Sequence, residues 1–153
     1  MLPGHVYAAL LLSADSDIAR VEEGAGRVRL PDRGALYWGK LDVAEHESWK
    51  IPIEIVASGA ATIEALIWWP RSGPEPYTPP TEEWRSDIDL RLLDASGNEK
   101  MRSDSAGEVR ERVFDEVPAG SSGKWWSIDI YGYSVPGTEK QPVYWAVWVR
   151  DAE

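Results

Sequence analysis

Between residues 37 and 150 the chain alternates apolar and polar positions in short runs that end at turns. A clear example lies at residues 87–93, where three apolar side chains fall on one side of an extended strand. They are Ile88, Leu90 and Leu92. A turn at residues 94–98 follows, and the alternation then begins again. Because successive side chains of a strand point to opposite faces, this period of two is typical of antiparallel strands with one buried face.

Eight runs of this kind predict eight strands. The runs cover residues 37–43, 48–56, 61–69, 87–93, 99–103, 108–117, 124–131 and 142–150. Eight strands suit a jelly roll, in which two sheets share one core. Pro52 has no amide donor, so its strand is predicted to lie at a sheet edge or to be locally broken. We therefore predict an all-β fold, an antiparallel β-sandwich of the jelly-roll type.

The regions outside these runs have a different pattern. Residues 5–14 are rich in helix formers and predict a short N-terminal helix. Glycine and proline then make residues 15–36 a loop-rich connector. Residues 70–83 contain five prolines and predict a long, stiff loop. The chain is thus divided into a helix with its connector at 1–36 and a β-sandwich domain at 37–153.

Composition narrows the classes of function. The 153 residues suit one domain, and the formal net charge of -10 would repel nucleic acid and anionic membranes. The absence of cysteine excludes thiolate chemistry. No apolar run reaches the roughly 18 residues needed to span a bilayer. Basic or neutral partners remain open.

Four side chains around one predicted strand and its turn carry oxygen ligands of the kind that Ca²⁺ prefers. They are Asp87, Asp89, Asp94 and Asn98. The spacing lacks a complete calcium-loop motif, and the same carboxylates could instead keep a sheet face or edge solvated. Calcium is therefore an optional ligand in this interpretation, and no cofactor is required.

Large aromatic side chains occupy the side of several strands that faces away from the predicted core. They are Trp68, Trp125, Tyr131, Tyr144 and Trp148. Aromatic side chains on an outer face can stack on sugars or peptides, or dock a neighbouring domain. Alternatively, the segment 1–36 or the loop 70–83 covers them. These five residues are the candidate ligand or docking face.

His46, Glu47 and Ser48 adjoin one another in the sequence. A catalytic triad is assembled by spatial geometry rather than by adjacency, so we interpret this segment as a solvated turn between strands. No catalytic residue is predicted.

Several segments resemble the C-terminal β-domains of subtilisin-like serine peptidases, which include the pre-peptidase C-terminal type and relatives of the convertase P-domain. The segments that carry this resemblance are residues 87–97, 108–113, 118–120 and 128–133. Upstream, residues 6–15 resemble the late helix of the catalytic domain, and residues 24–31 resemble the segment that closes it.

The glycine-rich contexts that hold the catalytic Asp, His and Ser of those peptidases do not occur in this sequence. The resemblance therefore implies a non-catalytic accessory domain of a secreted peptidase, which stabilises the catalytic domain or assists substrate binding. The implied partners are that catalytic domain and a polypeptide or polysaccharide substrate. The alternative is a carbohydrate- or peptide-binding module that uses the outer aromatic side chains.

Overall fold

The computed structural model describes residues 34–70, 86–136 and 140–152, and the backbone of two short strands that precede them. Those two are β1 (Ala14–Asp15) and β2 (Arg27–Val28), which pair antiparallel. The remaining strands are β3 (Ala35–Val43), β4 (Ser48–Glu54), β5 (Ala61–Trp68), β6 (Asp87–Leu93), β7 (Glu99–Ser103), β8 (Arg110–Val117), β9 (Trp125–Ser134) and β10 (Gln141–Asp151). Within these described ranges no helix is long and apolar enough to cross a membrane.

The eight longer strands form two four-stranded antiparallel sheets. The first sheet has the order β3-β10-β5-β8, and the second has the order β4-β9-β6-β7. The pairing is nested, because β3 pairs with β10, β4 with β9, β5 with β8 and β6 with β7. This nesting agrees with a double-sheet jelly roll. The predicted all-β architecture of eight antiparallel strands is confirmed.

One apolar core lies between the two sheets. Alternate residues of strands from both sheets fill it, and the largest of those with almost no exposure are Ile53, Ile63, Ile67, Ile88, Leu90, Leu92, Ile128 and Ile130. Burying such a side chain contributes about 1.5–3 kcal/mol relative to leaving it in water. The shared core makes the two sheets a β-sandwich, with an outer face on each sheet.

The predicted strand bounds differ from the observed ones by a few residues at most. β3 begins at Ala35 rather than at residue 37, and β9 continues to Ser134. β4, which contains Pro52, lies at the edge of the second sheet as predicted. At the same side of the sandwich, the hydroxyl of Tyr37 donates a hydrogen bond of 3.0 Å to the carbonyl oxygen of Glu54, which ties β3 to β4.

The described residues do not include a helix at the N-terminus. Ala14, the last residue of the predicted helix, belongs to β1, where it pairs with Val28. At Ala14 the structure therefore has an extended strand where the sequence predicts a helix. Residues 5–13 and the proline-rich loop at 71–83 lie outside the described residues.

Candidate functional site

The outer face of the first sheet is largely apolar. Its side chains alternate with the core residues of the same strands and form cross-strand rows, such as Trp38, Ala146 and Leu66. We call this surface the apolar face, and it comprises Leu36, Trp38, Leu66, Trp68, Phe114, Tyr144, Ala146 and Trp148. The centre of this face is buried, with Leu66 at 3% and Ala146 at 0% exposure, whereas Trp38 and Phe114 on the two edge strands are 44% and 56% exposed.

An ion-pair network crosses the apolar face. The carboxylate of Glu64, a residue with 6% exposure, accepts hydrogen bonds from the guanidinium of Arg112, and Arg150 Nη2 lies 3.9 Å from Glu64 Oε2. The guanidinium of Arg150 also lies 4.7 Å from the ring centroid of Trp148. A buried carboxylate is costly unless it is paired. The two arginines therefore supply partners for the Glu64 carboxylate among its apolar neighbours.

The outer face of the second sheet is polar. Strand pairing aligns two cross-strand rows on it, two residues apart along each strand. One row contains Ser48, Tyr131 and Asp89, and the other contains Lys50, Asp129, Arg91 and Arg102. We call these seven residues the polar face. Adjacent strands lie about 4.8 Å apart, and the two rows are separated by about 7 Å along the strands. Neighbouring side chains of the polar face are therefore close enough to contact one small ligand.

Asp129 and Arg91 occupy the centre of the polar face. The hydroxyl of Ser48 donates a hydrogen bond to Asp129 Oδ1, while Arg91 Nη1 lies 3.9 Å from Asp129 Oδ2. The guanidinium carbon of Arg91 lies 5.6 Å from the ring centroid of Tyr131. The Tyr131 hydroxyl is 3.2 Å from Nδ1 of His46. The centre of the polar face is therefore a packed arrangement of charged and aromatic groups.

Two polar groups on this face lack hydrogen bonds. Arg91 Nε is buried and has no hydrogen-bond partner. Asp89 is only 7% exposed, and among the described residues no hydrogen bond reaches its carboxylate. Desolvation raises the pKa of Asp89, and the charges of Asp87 and Asp104 raise it further. The Asp89 carboxylate can therefore accept further hydrogen bonds.

The four residues predicted to bind calcium lie at two ends of β6. Asp87 and Asp89 lie at its beginning, whereas Asp94 and Asn98 lie in the turn that follows it. At about 3.3 Å per residue, the extended strand separates Asp87 from Asp94 by about 20 Å. The structure therefore does not bring all four side chains together. In the described ranges, no group of three or more His, Cys, Asp or Glu side chains could hold a metal ion.

Asp94 has a structural role in its turn. Its Oδ1 atom accepts hydrogen bonds of 2.9 Å from the backbone amides of Ser96 and Asn98, and its Oδ2 atom accepts one of 3.1 Å from the Asn98 side chain. These hydrogen bonds, with those from Asn98 the strongest, lower the pKa of Asp94. Asp94 and Asn98 thus stabilise the connection between β6 and β7.

The five predicted aromatic side chains do lie on outer faces, but on two different ones. Trp68, Tyr144 and Trp148 lie on the apolar face, where the rings of Trp68 and Tyr144 are 5.6 Å apart. Trp125 and Tyr131 lie on the outer side of the second sheet, and Trp125 is 56% exposed. They therefore form two separate surfaces. The covering segments proposed for them fall mostly outside the described residues.

His46 and Ser48 have different partners. His46 lies in the turn before β4 with a positive φ of 59°, and its ring contacts Tyr131, whereas Ser48 bonds to Asp129. The sequence did not reveal this arrangement, because the partners are more than 80 residues away along the chain. Its only local signal is the polar residue at every second position of β6 and β9.

Similarity to known proteins is found among solved structures. No protein family and no curated protein matches the sequence. Among solved structures, similarity extends to PliG of Aeromonas hydrophila, a periplasmic inhibitor of g-type lysozyme, with 11% identity over 80% of this chain and 93% of that chain and a TM-score of 0.44.

Two further structures show weaker similarity. Dimeric latent PorU of Porphyromonas gingivalis has 8% identity over 78% of this chain but only 13% of its own, with a TM-score of 0.32. The virus-like particle of the extra small virus of the prawn Macrobrachium rosenbergii has 10% identity over 83% of this chain and 84% of its own, with a TM-score of 0.28. None of these similarities indicates a function for this chain.

Proposed function

We propose that the β-sandwich is a non-catalytic accessory domain of a secreted subtilisin-like serine peptidase, and that its apolar face docks the catalytic domain. The observation that carries the proposal is the apolar outer face of the first sheet, since an outer sheet face of a solvated sandwich is ordinarily polar. The resemblance of residues 87–133 to C-terminal β-domains of these peptidases supports this choice of partner.

The exposed margins of the apolar face supply the contact. Trp38 on β3 and Phe114 on β8 are both about half exposed, on the two edge strands of the sheet. Large aromatic side chains contribute much of the binding energy of protein interfaces. β3 is also the first strand of the sandwich, so a domain that precedes it would be tethered beside this face.

The charges of this face suit the same partner. The outer side of the first sheet carries four basic residues against three acidic ones, although the whole chain has a net charge of -10. The basic residues are Lys40, Arg110, Arg112 and Arg150, and the acidic ones are Asp42, Glu64 and Glu116. A partner surface with apolar side chains flanked by carboxylates would complement the face. Docking to the native catalytic domain alone would stabilise that domain by mass action.

Thermal inactivation tests this function. The subtilisin-like catalytic domain encoded beside this chain in its source genome is heated with and without the purified chain, and residual hydrolysis of casein is measured. We expect the chain to slow inactivation and to hydrolyse nothing by itself. The double variant W38S/F114S should lose the protection, because it removes both exposed aromatic side chains.

The matched control is W125S, which removes an exposed tryptophan from the opposite sheet. It should protect as well as the natural chain. Equal protection by W38S/F114S, or a source genome without a subtilisin-like catalytic domain beside this chain, would contradict the proposal.

A second function, carbohydrate or peptide binding, is favoured by one observation on the second sheet. Trp125 is exposed on the same side of β9 as Asp129 and Tyr131. An exposed aromatic side chain can pack against a sugar ring or a peptide, while neighbouring polar side chains form hydrogen bonds to it.

A further inference from the structure

We propose that the second sheet binds a neutral oligosaccharide along β9, with one sugar stacked on Trp125 and another hydrogen-bonded to Arg91 and Asp129. The site lies on the opposite side of the sandwich from the apolar face. It therefore goes beyond the docking function and does not depend on it. Of the two ligand classes in the second function above, the proposed ligand is the carbohydrate.

The guanidinium of Arg91 has hydrogen-bond donors that are not used within the polar face. The side chain of Arg91 is 28% exposed, and a ligand would meet this exposed part rather than the buried Nε. Its closest carboxylate oxygen, Asp129 Oδ2, is 3.9 Å away, which is too far for a hydrogen bond. A guanidinium has five N–H donors, so Arg91 can donate to an incoming ligand.

Unused acceptors lie beside these donors. Asp129 is 8% exposed, and its Oδ1 atom is occupied by Ser48, whereas Oδ2 has only the distant contact with Arg91. Asp89 is paired with Tyr131 across the strands, and no hydrogen bond within the described ranges reaches its carboxylate. Hydroxyl groups of a ligand can donate hydrogen bonds to these carboxylate oxygens.

A sugar satisfies both kinds of group. Each sugar hydroxyl is a donor and an acceptor, so one pair of neighbouring hydroxyls can accept from Arg91 and donate to Asp129. Within the polar face, Lys50, Arg91 and Arg102 balance nearby carboxylates, and the net charge of -10 opposes a polyanion. A neutral saccharide is thus favoured over an acidic one.

The exposed indole of Trp125 extends the site. Trp125, Ser127 and Asp129 occupy successive positions on the outer side of β9, and Trp125 is 56% exposed. Four residues along a strand span about 13 Å, which suits a short oligosaccharide rather than a single sugar. The apolar side of a sugar ring packs on a flat aromatic ring. Trp125 therefore provides apolar contact area for one sugar, and hydrogen bonds to the polar face orient the oligosaccharide.

Isothermal titration calorimetry with the purified chain tests the site. The probes are cellohexaose, xylohexaose, maltohexaose and chitohexaose. We expect saturable binding of at least one of them, and at least tenfold weaker binding of that sugar by R91M and by W125A. W125A changes an exposed side chain, so it remains informative if R91M does not fold.

The matched controls are R110M and W38A, which change an exposed arginine and an exposed tryptophan on the first sheet. Both should bind the sugar as the natural chain does. The absence of saturable binding to any of the four sugars would overturn the proposal. So would unchanged binding in W125A, or competition by an unfolded polypeptide such as reduced casein. Loss of sugar binding with intact protection of a peptidase, or the reverse, separates this proposal from the docking function.

Discussion

The indole of Trp145 occupies the space above Gly39 on the neighbouring strand. The two residues are directly paired between β10 and β3, and a Cβ atom on Gly39 would lie 2.5 Å from Cζ2 of Trp145. Trp145 packs against the core from β10, beside the edge strand β3 that carries Gly39. The glycine thus allows a large aromatic side chain to close that edge of the sandwich.

Substitution of Gly39 by alanine should destabilise the domain. The new methyl group would overlap the ring of Trp145, and the cost of such overpacking is about 1–3 kcal/mol. Urea unfolding followed by tryptophan fluorescence measures the loss. Gly59→Ala is the control, because nothing lies within 4 Å of a Cβ atom at that position. Equal stability of the two variants would show that the ring moves aside without cost.

Gly132→Ala should destabilise the domain more than Gly39→Ala does. Its Cβ atom would lie 2.3 Å from the carbonyl oxygen of Ala44, which is backbone rather than a side chain. The amide of Gly132 also donates a hydrogen bond of 3.0 Å to the carbonyl oxygen of Glu47. Relief of the overlap would shift this connection between β3 and β4. A smaller loss of unfolding free energy than in Gly39→Ala would refute the comparison.

Substitutions of Leu90 in β6 and Phe114 in β8 test which strand residues face the core and which face outward. Leu90 has no exposure, whereas Phe114 is 56% exposed. Leu90→Ala should cost about 2–5 kcal/mol through lost burial and a cavity. Phe114→Ala should change stability by no more than about 0.5 kcal/mol, as for other surface positions. Chemical denaturation of both variants gives the comparison, and a larger effect at Phe114 would place it in the core.

A cluster of carboxyl groups should make the domain less stable as the pH rises. Desolvation raises the pKa of Asp87, Asp89 and Glu111, and repulsion among neighbouring carboxylates raises each of them further. The folded state therefore binds more protons than the unfolded state just above the ordinary carboxyl pKa. Stability from this cluster is present below that pKa and is lost as the pH rises through the raised values.

Asp87→Asn tests this dependence. The variant should be more stable than the natural chain at pH 7, and its stability should fall less as the pH rises from 4. Urea unfolding midpoints across that range measure both effects. Asp94→Asn should act in the opposite direction, because hydrogen bonds lower the pKa of Asp94 and their stabilisation is lost as the pH falls through its folded-state value. A less stable Asp87→Asn variant at pH 7 would contradict the prediction.

The strands and their buried sides were readable from the sequence because both depend on local alternation. Leu90 and Ile128 point inward as their periodicity indicates. The neighbour of each strand was not readable, because nested pairing joins residues far apart, such as Trp38 with Ala146. Alternation alone therefore assigns Trp68 and Trp125 to one outer surface, although they belong to different sheets.

Spacing along the chain also fails to show how far apart the four predicted calcium ligands lie. Asp87 and Asp94 are seven positions apart, which suggests proximity, but an extended strand carries its ends away from each other. At the centre of the polar face, residues far apart in the sequence lie close together. Ser48 and Asp129 are 81 residues apart and form a hydrogen bond. Sequence separation is thus a poor guide to a site built across strands.

The nested strand order also determines where the chain enters and leaves the domain. Ala35, the first residue of β3, is paired with Val149 near the end of β10. The two ends of the sandwich therefore lie side by side, about one strand spacing apart. A domain of this kind could be inserted into a surface loop of another protein without stretching its host, or be circularly permuted with little strain.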